Sequence, residues 1–583
     1  MPAIISEKFH VHNAQQFMES FSEGSRSYTE TLTATPNDPI IQVSGNVYGR
    51  LRVGDYVTAN NESRQIMSME ANGTHLTVNV AFSYVLTDEP FVSVDELFSY
   101  DTYYLFIGRP TSWPNGDMVV PTPTDSVGNT AFDYWRDIMA FHRITSADLM
   151  HVIPRYDWTP NAKYSMYDHR TNLADPTVGT SHPKYVITSE YQVFKCLYNG
   201  RSNSSSGPSI STGEPSITAQ SDPTDLTWAA GIPNNYVWKY LYTVPESYRA
   251  MYLTTNYIPV ECPWGELDEN GDVLDDGSLR YDVFNVARTR SNGAIQRVVV
   301  ESPGSGYLNP PSIIITGDGT DAEATAEISS GQVVGINMSY GGDNYSYATV
   351  SFRANGHSEV ADKATATAII SPRNEYTNSS GMYYVTNHGI ALTQELNAKY
   401  LMLYVELIGR EEGSVVQTGN EYRRIGIVRN PTVRGTSAVA SERVYSQTTD
   451  LKISGSQTGV FTKDEIVWQP ATNAYGVFVE EVQSMVRLVS VHGEFSGAVS
   501  NTYIMGIGNG TAGGQVANST VTIPTTPDGF SPTVPASGMS AYIDTVTLPA
   551  IAEFSGEMLY AEQRLPVIRN DAQTEIIRVI LAF

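Results

Sequence analysis

Cysteine is nearly absent: Cys196 and Cys262 are the only two in 583 residues. Two thiols cannot staple a chain this long, which excludes a disulfide-rich secreted scaffold. Two buried thiols in a reducing cytoplasm are expected, with one 196–262 bridge as the alternative. Basic residues are scarce too, 36 Lys and Arg against 62 Asp and Glu, for a formal charge of −26. Nucleic-acid affinity comes largely from cationic contacts to phosphate, and no Lys/Arg-rich stretch offsets the acidic field. No nucleic acid and no membrane are therefore expected as partners, since an anionic lipid surface repels the chain for the same reason. No apolar run reaches the roughly 18 residues that a membrane span needs. The start, Met1-Pro2-Ala3-Ile4-Ile5-Ser6-Glu7-Lys8, lacks the basic-then-apolar order of a secretory signal.

Charged residues are only 17%, whereas 46 Gly, 31 Pro and abundant polar uncharged residues favour short strands and turns over long helices. Hydrophobic residues reach 41%, enough for several cores, and the length suggests roughly four domains. Tyr outnumbers Phe, 36 to 18, which suits half-exposed sheet faces and interfaces. The fold class expected is mainly β with a few short helices, multidomain, built of antiparallel sheets or β-sandwich-like modules.

Asn13 to Phe21 reads as a short helix capped by Asn13, with Phe17 and Phe21 on one face. Residues 28–98 alternate like a small β module. Thr130 and Asp133 form an approximate capping box for a helix over 130–142 carrying Phe132, Trp135 and Met139. Ser146 can start another short helix, which Pro154 limits. Residues 185–198 look like a strand pair, 199–225 a surface loop, and Tyr236–Val244 an aromatic strand. Residues 294–370 repeat internally: Ser302-Pro303-Gly304-Ser305-Gly306-Tyr307 is echoed by Tyr340-Gly341-Gly342-Asp343-Asn344-Tyr345, and Ala324-Thr325-Ala326 by Ala366-Thr367-Ala368. Two copies predict a compact domain made from a duplicated hairpin unit. A further β module is expected over 450–545, and a buried apolar strand from Ile576 to Phe583.

Catalytic and ligand motifs fail on inspection. Gly508-Asn509-Gly510-Thr511-Ala512-Gly513 has the spacing of a dinucleotide loop, but Pro524 and later prolines follow instead of a helix. Asp268-Glu269-Asn270-Gly271-Asp272 resembles the start of a calcium loop, yet Val273 stands where glycine is needed and Leu279 where a carboxylate is needed. His10 and His12 would share a face only on a strand, and no third ligand accompanies them. No catalytic residue, cofactor or metal is assigned, and an enzyme is not expected.

The remaining clusters are Tyr103-Tyr104-Leu105-Phe106-Ile107-Gly108-Arg109-Pro110 with Trp113, Pro121-Thr122-Pro123-Thr124-Asp125-Ser126 before Trp135, and Val152-Ile153-Pro154-Arg155-Tyr156-Asp157-Trp158. Tyr236-Val237-Trp238-Lys239-Tyr240-Leu241 and Ser555-Gly556-Glu557-Met558-Leu559-Tyr560, followed by Arg564 and Pro566, complete the set. In this order they resemble the gene-product-eight baseplate wedge subunits of contractile-tailed, T-even-like bacteriophages. The resemblance covers 1–23, 98–287, 395–435 and 550–583. Within Val152–Trp158, Tyr156 replaces the family's second arginine. The stretches 24–97, 288–394 and 436–549 have no counterpart in the shortest members and read as inserted β modules.

The resemblance implies a virion protein of the tail baseplate, assembled in the host cytoplasm. It would be a homodimer in each wedge, beside the products of genes six, seven and ten, working in assembly and in rearrangement during sheath contraction. Gly108, Trp113, Trp135, Trp158, Trp238 and Glu557 are the motif residues, with the tryptophans expected in cores. Arg109, Arg155 and Arg564 are the partner-contact candidates, because arginine grips carboxylates bidentately. The alternatives are a fibre, receptor-contacting or decoration protein and, from another class, a tail-associated glycosidase, whose carboxylate pair no sequence spacing would reveal.

Overall fold

The computed structural model describes residues 4–21, 25–47, 50–51, 53–70, 73–94, 101–124, 129–169, 171, 173–174, 182–199, 209–216, 227–228, 236–260, 293–353, 362–370, 396–407, 421–458, 461–497, 503–507, 520–522, 533–535, 540–568 and 575–583. The protein is mostly β, multidomain, made of several antiparallel sheets and small barrels with a few short helices. It divides into two compact units, one of residues 1–17, 149–404 and 578–583, the other of 18–148 and 405–577.

The second unit is organised on a five-stranded sheet in the order Val444–Ser446, Ile138–Ile144, Tyr103–Gly108, Glu421–Arg429, Glu557–Ile568. All its ladders are antiparallel. Every residue of Tyr103–Gly108 is buried, as expected of a central strand covered on both faces. Tyr104 and Phe106 pack with Trp135, Phe141, Val428 and Ile551, each large apolar side chain contributing about 1.5–3 kcal/mol on full burial.

Two six-stranded closed barrels belong to the same unit. The first runs from Ser25–Ala34 to Leu86–Val94, the second from Thr449–Thr458 to Ser540–Thr547. Alternation drives both: Ile41 and Val43, or Leu76 and Val78, point inward while their neighbours face out. Closure removes the unpaired edges that an open sandwich would leave. In each barrel the first strand pairs with the last, so the chain enters and leaves at adjacent points.

The first unit holds two four-stranded sheets and a six-stranded one. Tyr185–Ile187 and Gln192–Asn199 form the expected hairpin, extended by Tyr236–Thr243. The duplicated segment contributes three strands per copy, not the hairpin expected. Copy one is Ile295–Ser302, Ser312–Gly317 and Thr320–Ser329; copy two is Gln332–Asp343, Ala348–Arg353 and Thr365–Ile370. Exchanging the copies maps the strand order onto itself reversed, the signature of an internal twofold. Tyr307 N–H donates to the Gly331 carbonyl and Tyr345 N–H to the Gly293 carbonyl, both at 3.0 Å. Gly304 and Gly342, at φ +63° and +65°, make the matching left-handed turns.

Several expectations are corrected. The first helix spans Glu7–Ser20, with Ser6 Oγ accepting from Phe9 N–H (3.3 Å), so Asn13 is interior. His10 and His12 therefore lie on a helix, where an i, i+2 pair does not share a face. The second helix stops at Arg136, and Met139 belongs to the strand Ile138–Ile144. Ser146 starts only a single 3₁₀ turn, Ser146–Asp148. The C-terminal strand, Glu575–Ala582, buries Ile577, Val579 and Leu581, but Ile576 is exposed. Cys196 is buried. Cys262, the Asp268–Asp272 turn and the Gly508–Gly513 loop lie outside the described residues.

Candidate functional site

The chemistry concentrates where the strand Tyr103–Gly108 ends. Gly108 aligns with Arg424 on one neighbouring strand and Ile138 on the other, and Arg424 aligns with Gln563. A Cβ at Gly108 would lie 2.7 Å from the Asp137 carbonyl oxygen, so only glycine lets the backbones meet here. Arg109 follows in the left-handed region (φ +54°), its N–H donating to that carbonyl at 2.8 Å. Such a conformation costs a non-glycine residue about 1 kcal/mol and invites a functional explanation.

Arg423 and Arg424 are consecutive on a strand, so their side chains leave opposite faces. Arg423, fully buried, donates from Nε and Nη2 to Asp117 (2.7 and 2.6 Å), from Nη2 to Glu421 (2.6 Å) and from Nη1 to the Pro110 carbonyl (2.6 Å). Its guanidinium holds the Asp117 carboxyl down at about 2. This clamp fixes the loop that carries Trp113, whose indole N–H donates to the Arg564 carbonyl at 3.2 Å.

Arg424 lies on the other face, 4% exposed. Its guanidinium is 3.8 Å from the centre of the Tyr134 ring and 5.8 Å from that of Trp113, with Arg109 at 4.6 Å from the same indole. A single oxygen, Asp137 Oδ2, accepts from both Arg109 (3.0 Å) and Arg424 (3.1 Å), while Oδ1 accepts from Ser490 Oγ at 2.7 Å. Burial lowers the Arg424 value, Asp137 opposes that shift, and the nearby Arg109 charge reinforces it. The Nε atoms of both arginines and Oε1 of Gln563 are buried without a hydrogen-bond partner among the described residues. These groups line a cleft of about 480 Å³ together with Arg136, Asp133, Thr122 and His492.

Of the residues singled out in the sequence, Gly108, Arg109 and Trp113 converge here, while Arg564 supplies its backbone and directs its side chain to Glu562 (2.8 Å). Trp135 packs against Phe141. Glu557, mostly exposed, pairs with Arg429 (2.6 Å) at the far end of the same strands. Arg155, Trp158 and Trp238 belong to the first unit. Arg155 ties Asp157 (2.9 Å) to the Thr254 carbonyl (2.9 Å), Trp158 is half-buried and donates to Ser211 (3.1 Å), and Trp238 is fully buried against Tyr164 and Tyr236.

Sequence reading missed Arg423, Arg424, Asp137, Tyr134 and Gln563. A signal existed: two adjacent arginines leading into the apolar run Ile425–Val428 must each find a partner, one on each face. Among the described residues, no group of three or more His, Cys, Asp or Glu is placed to hold a metal ion. No described helix is long and apolar enough to cross a membrane. No protein-family model matches the chain, and no curated protein matches it either.

Proposed function

We propose that this chain is a structural subunit of the baseplate wedge in a contractile bacteriophage tail, acting mechanically and not as an enzyme. The observation that carries the reading is how the resembling segments are distributed in the second unit. Residues 101–110, 129–144, 421–435 and 550–568 are far apart in sequence yet form adjoining strands of one sheet with its turns. The segments without family counterpart, 24–97 and 436–549, contain the two barrels, strands 25–94 and 449–547, whose ends are adjacent, while Val444–Ser446 of the second segment joins the core sheet. That is the arrangement expected of an ancestral core carrying insertions at its loops.

As a homodimer beside the products of genes six, seven and ten, such a subunit holds the wedge through interfaces that break or rotate when the sheath contracts. Sixfold repetition raises the effective affinity of individually modest patches. The acidic surface keeps the free subunit soluble and steers it toward basic partners. The test is immunogold electron microscopy of intact virions with antibodies against the chain. Label at the distal tail end is expected; label confined to neck, head or fibres overturns the proposal.

A further inference from the structure

We propose that the cleft beside Gly108-Arg109 is a binding site for a singly charged carboxylate, held by Arg109 and Arg424. The inference is independent of the tail assignment and rests on charge and unused donors. Arg109 and Arg424 share one oxygen of one carboxylate, Asp137 Oδ2, at 3.0 and 3.1 Å. Asp137 neutralises one of the two, and its second oxygen is engaged by Ser490. The lining also holds Asp133 and Arg136, one formal charge of each sign. The cluster therefore retains one positive charge in excess, inside a chain whose net charge is −26.

Arg424 is 4% exposed, and among the described residues its Nε has no hydrogen-bond partner; nor does Nε of Arg109. Unused donors on buried cations are expensive, because desolvation is incurred without a compensating bond. The faces of both guanidiniums lie against Trp113 and Tyr134, and Nη2 of Arg109 also donates to the Ser112 carbonyl at 3.1 Å, which leaves Arg424, whose one described side-chain bond runs from Nη1 to Asp137, with the larger share of unused donors. A planar carboxylate fits a guanidinium edge, and its single charge matches the excess. A phosphate dianion would overshoot that charge and face Asp137 and Asp133. Gln563 Oε1, a buried unused acceptor on the same cleft, favours a ligand with an N–H or O–H near its carboxylate. Either a free small acid or an acidic side chain of a partner protein offers this chemistry.

Saturation-transfer NMR titrations of the full-length chain separate these sources, using acetate, N-acetyl-glutamate amide and inorganic phosphate at constant ionic strength. Saturable binding of at least one carboxylate is expected, with phosphate roughly tenfold weaker or worse. Arg424→Gln and, separately, the more exposed Arg109→Gln should each weaken carboxylate binding by roughly tenfold, the order of one charge-assisted hydrogen bond. Arg353→Gln, in the duplicated module, should leave it unchanged. Circular dichroism of each variant establishes that it is folded, and Arg109→Gln serves if Arg424→Gln is not. Comparable binding of the blocked glutamate supports a partner's side chain as the natural ligand, and binding of acetate alone supports a free acid. No saturable carboxylate binding, phosphate binding as tight as carboxylate, or a folded Arg109→Gln with unchanged affinity overturns the proposal.

Discussion

Replacing Arg423 with methionine tests whether this buried arginine organises the loop that roofs the cleft. Its side chain is 1% exposed and makes hydrogen bonds to Asp117, Glu421 and the Pro110 carbonyl. Two effects oppose each other. Removing the guanidinium relieves a desolvation penalty of several kcal/mol, and methionine refills much of the aliphatic volume. Against that, the Pro110 carbonyl loses its donor, at about 1–3 kcal/mol. Asp117 and Glu421 lose their cation but are 31% and 21% exposed, so water partly replaces it, and Glu421 keeps Lys463. The stranded backbone acceptor therefore dominates, and a net loss of about 2 kcal/mol, at most about 3, is expected. Asp117→Asn leaves Arg423 its bonds to Glu421 and Pro110 and should cost less, about 1–2 kcal/mol. Urea unfolding followed by tryptophan fluorescence, with far-UV dichroism as a second probe, measures both. A methionine variant within about 0.5 kcal/mol of the parent, or one milder than Asp117→Asn, refutes the reasoning.

Asp117 also makes stability pH-dependent. Its carboxyl is held at about 2 in the folded chain, below an unfolded value of about 3.9. Its contribution is therefore complete above about pH 5 and is lost as pH falls toward 2, though solvent screening keeps it small. Unfolding midpoints compared at several acidic pH values should show a shallower decline in Asp117→Asn than in the parent. Gly108→Ala, which places a methyl 2.7 Å from the Asp137 carbonyl oxygen, should destabilise by about 1–3 kcal/mol, read from the urea midpoint. In the duplicated module, Tyr307 OH accepts from the buried Ala364 N–H at 2.8 Å, and no described bond engages Tyr345 OH. Tyr307→Phe should thus cost about 1–3 kcal/mol and Tyr345→Phe about 0.5 or less, which thermal melts resolve.

The β class was legible because it follows from local chemistry: few charged residues, many turn formers, and alternation such as Ile41/Val43 that only a strand can bury on one side. The duplication was legible for the same reason, since Gly304 and Gly342 mark turns that need left-handed backbone. The buried state of Trp238 needed only its size and apolar setting. Tertiary pairing decided the rest. Phe132, Trp135 and Met139 satisfy a helical period, but the ladder to Tyr103–Gly108 claims Ile138 onward and ends the helix at Arg136. Whether a module closes into a barrel depends on its first strand meeting its last, as Leu32 does opposite Glu89, and no local window contains both. The cleft lies furthest beyond sequence reading. Asp137, Arg424 and Gln563 are more than a hundred residues apart, and nothing local says that they meet until strand register places them around Gly108. Sequence determines what each segment can bury, and only the completed sheet determines which charges are left to share a partner.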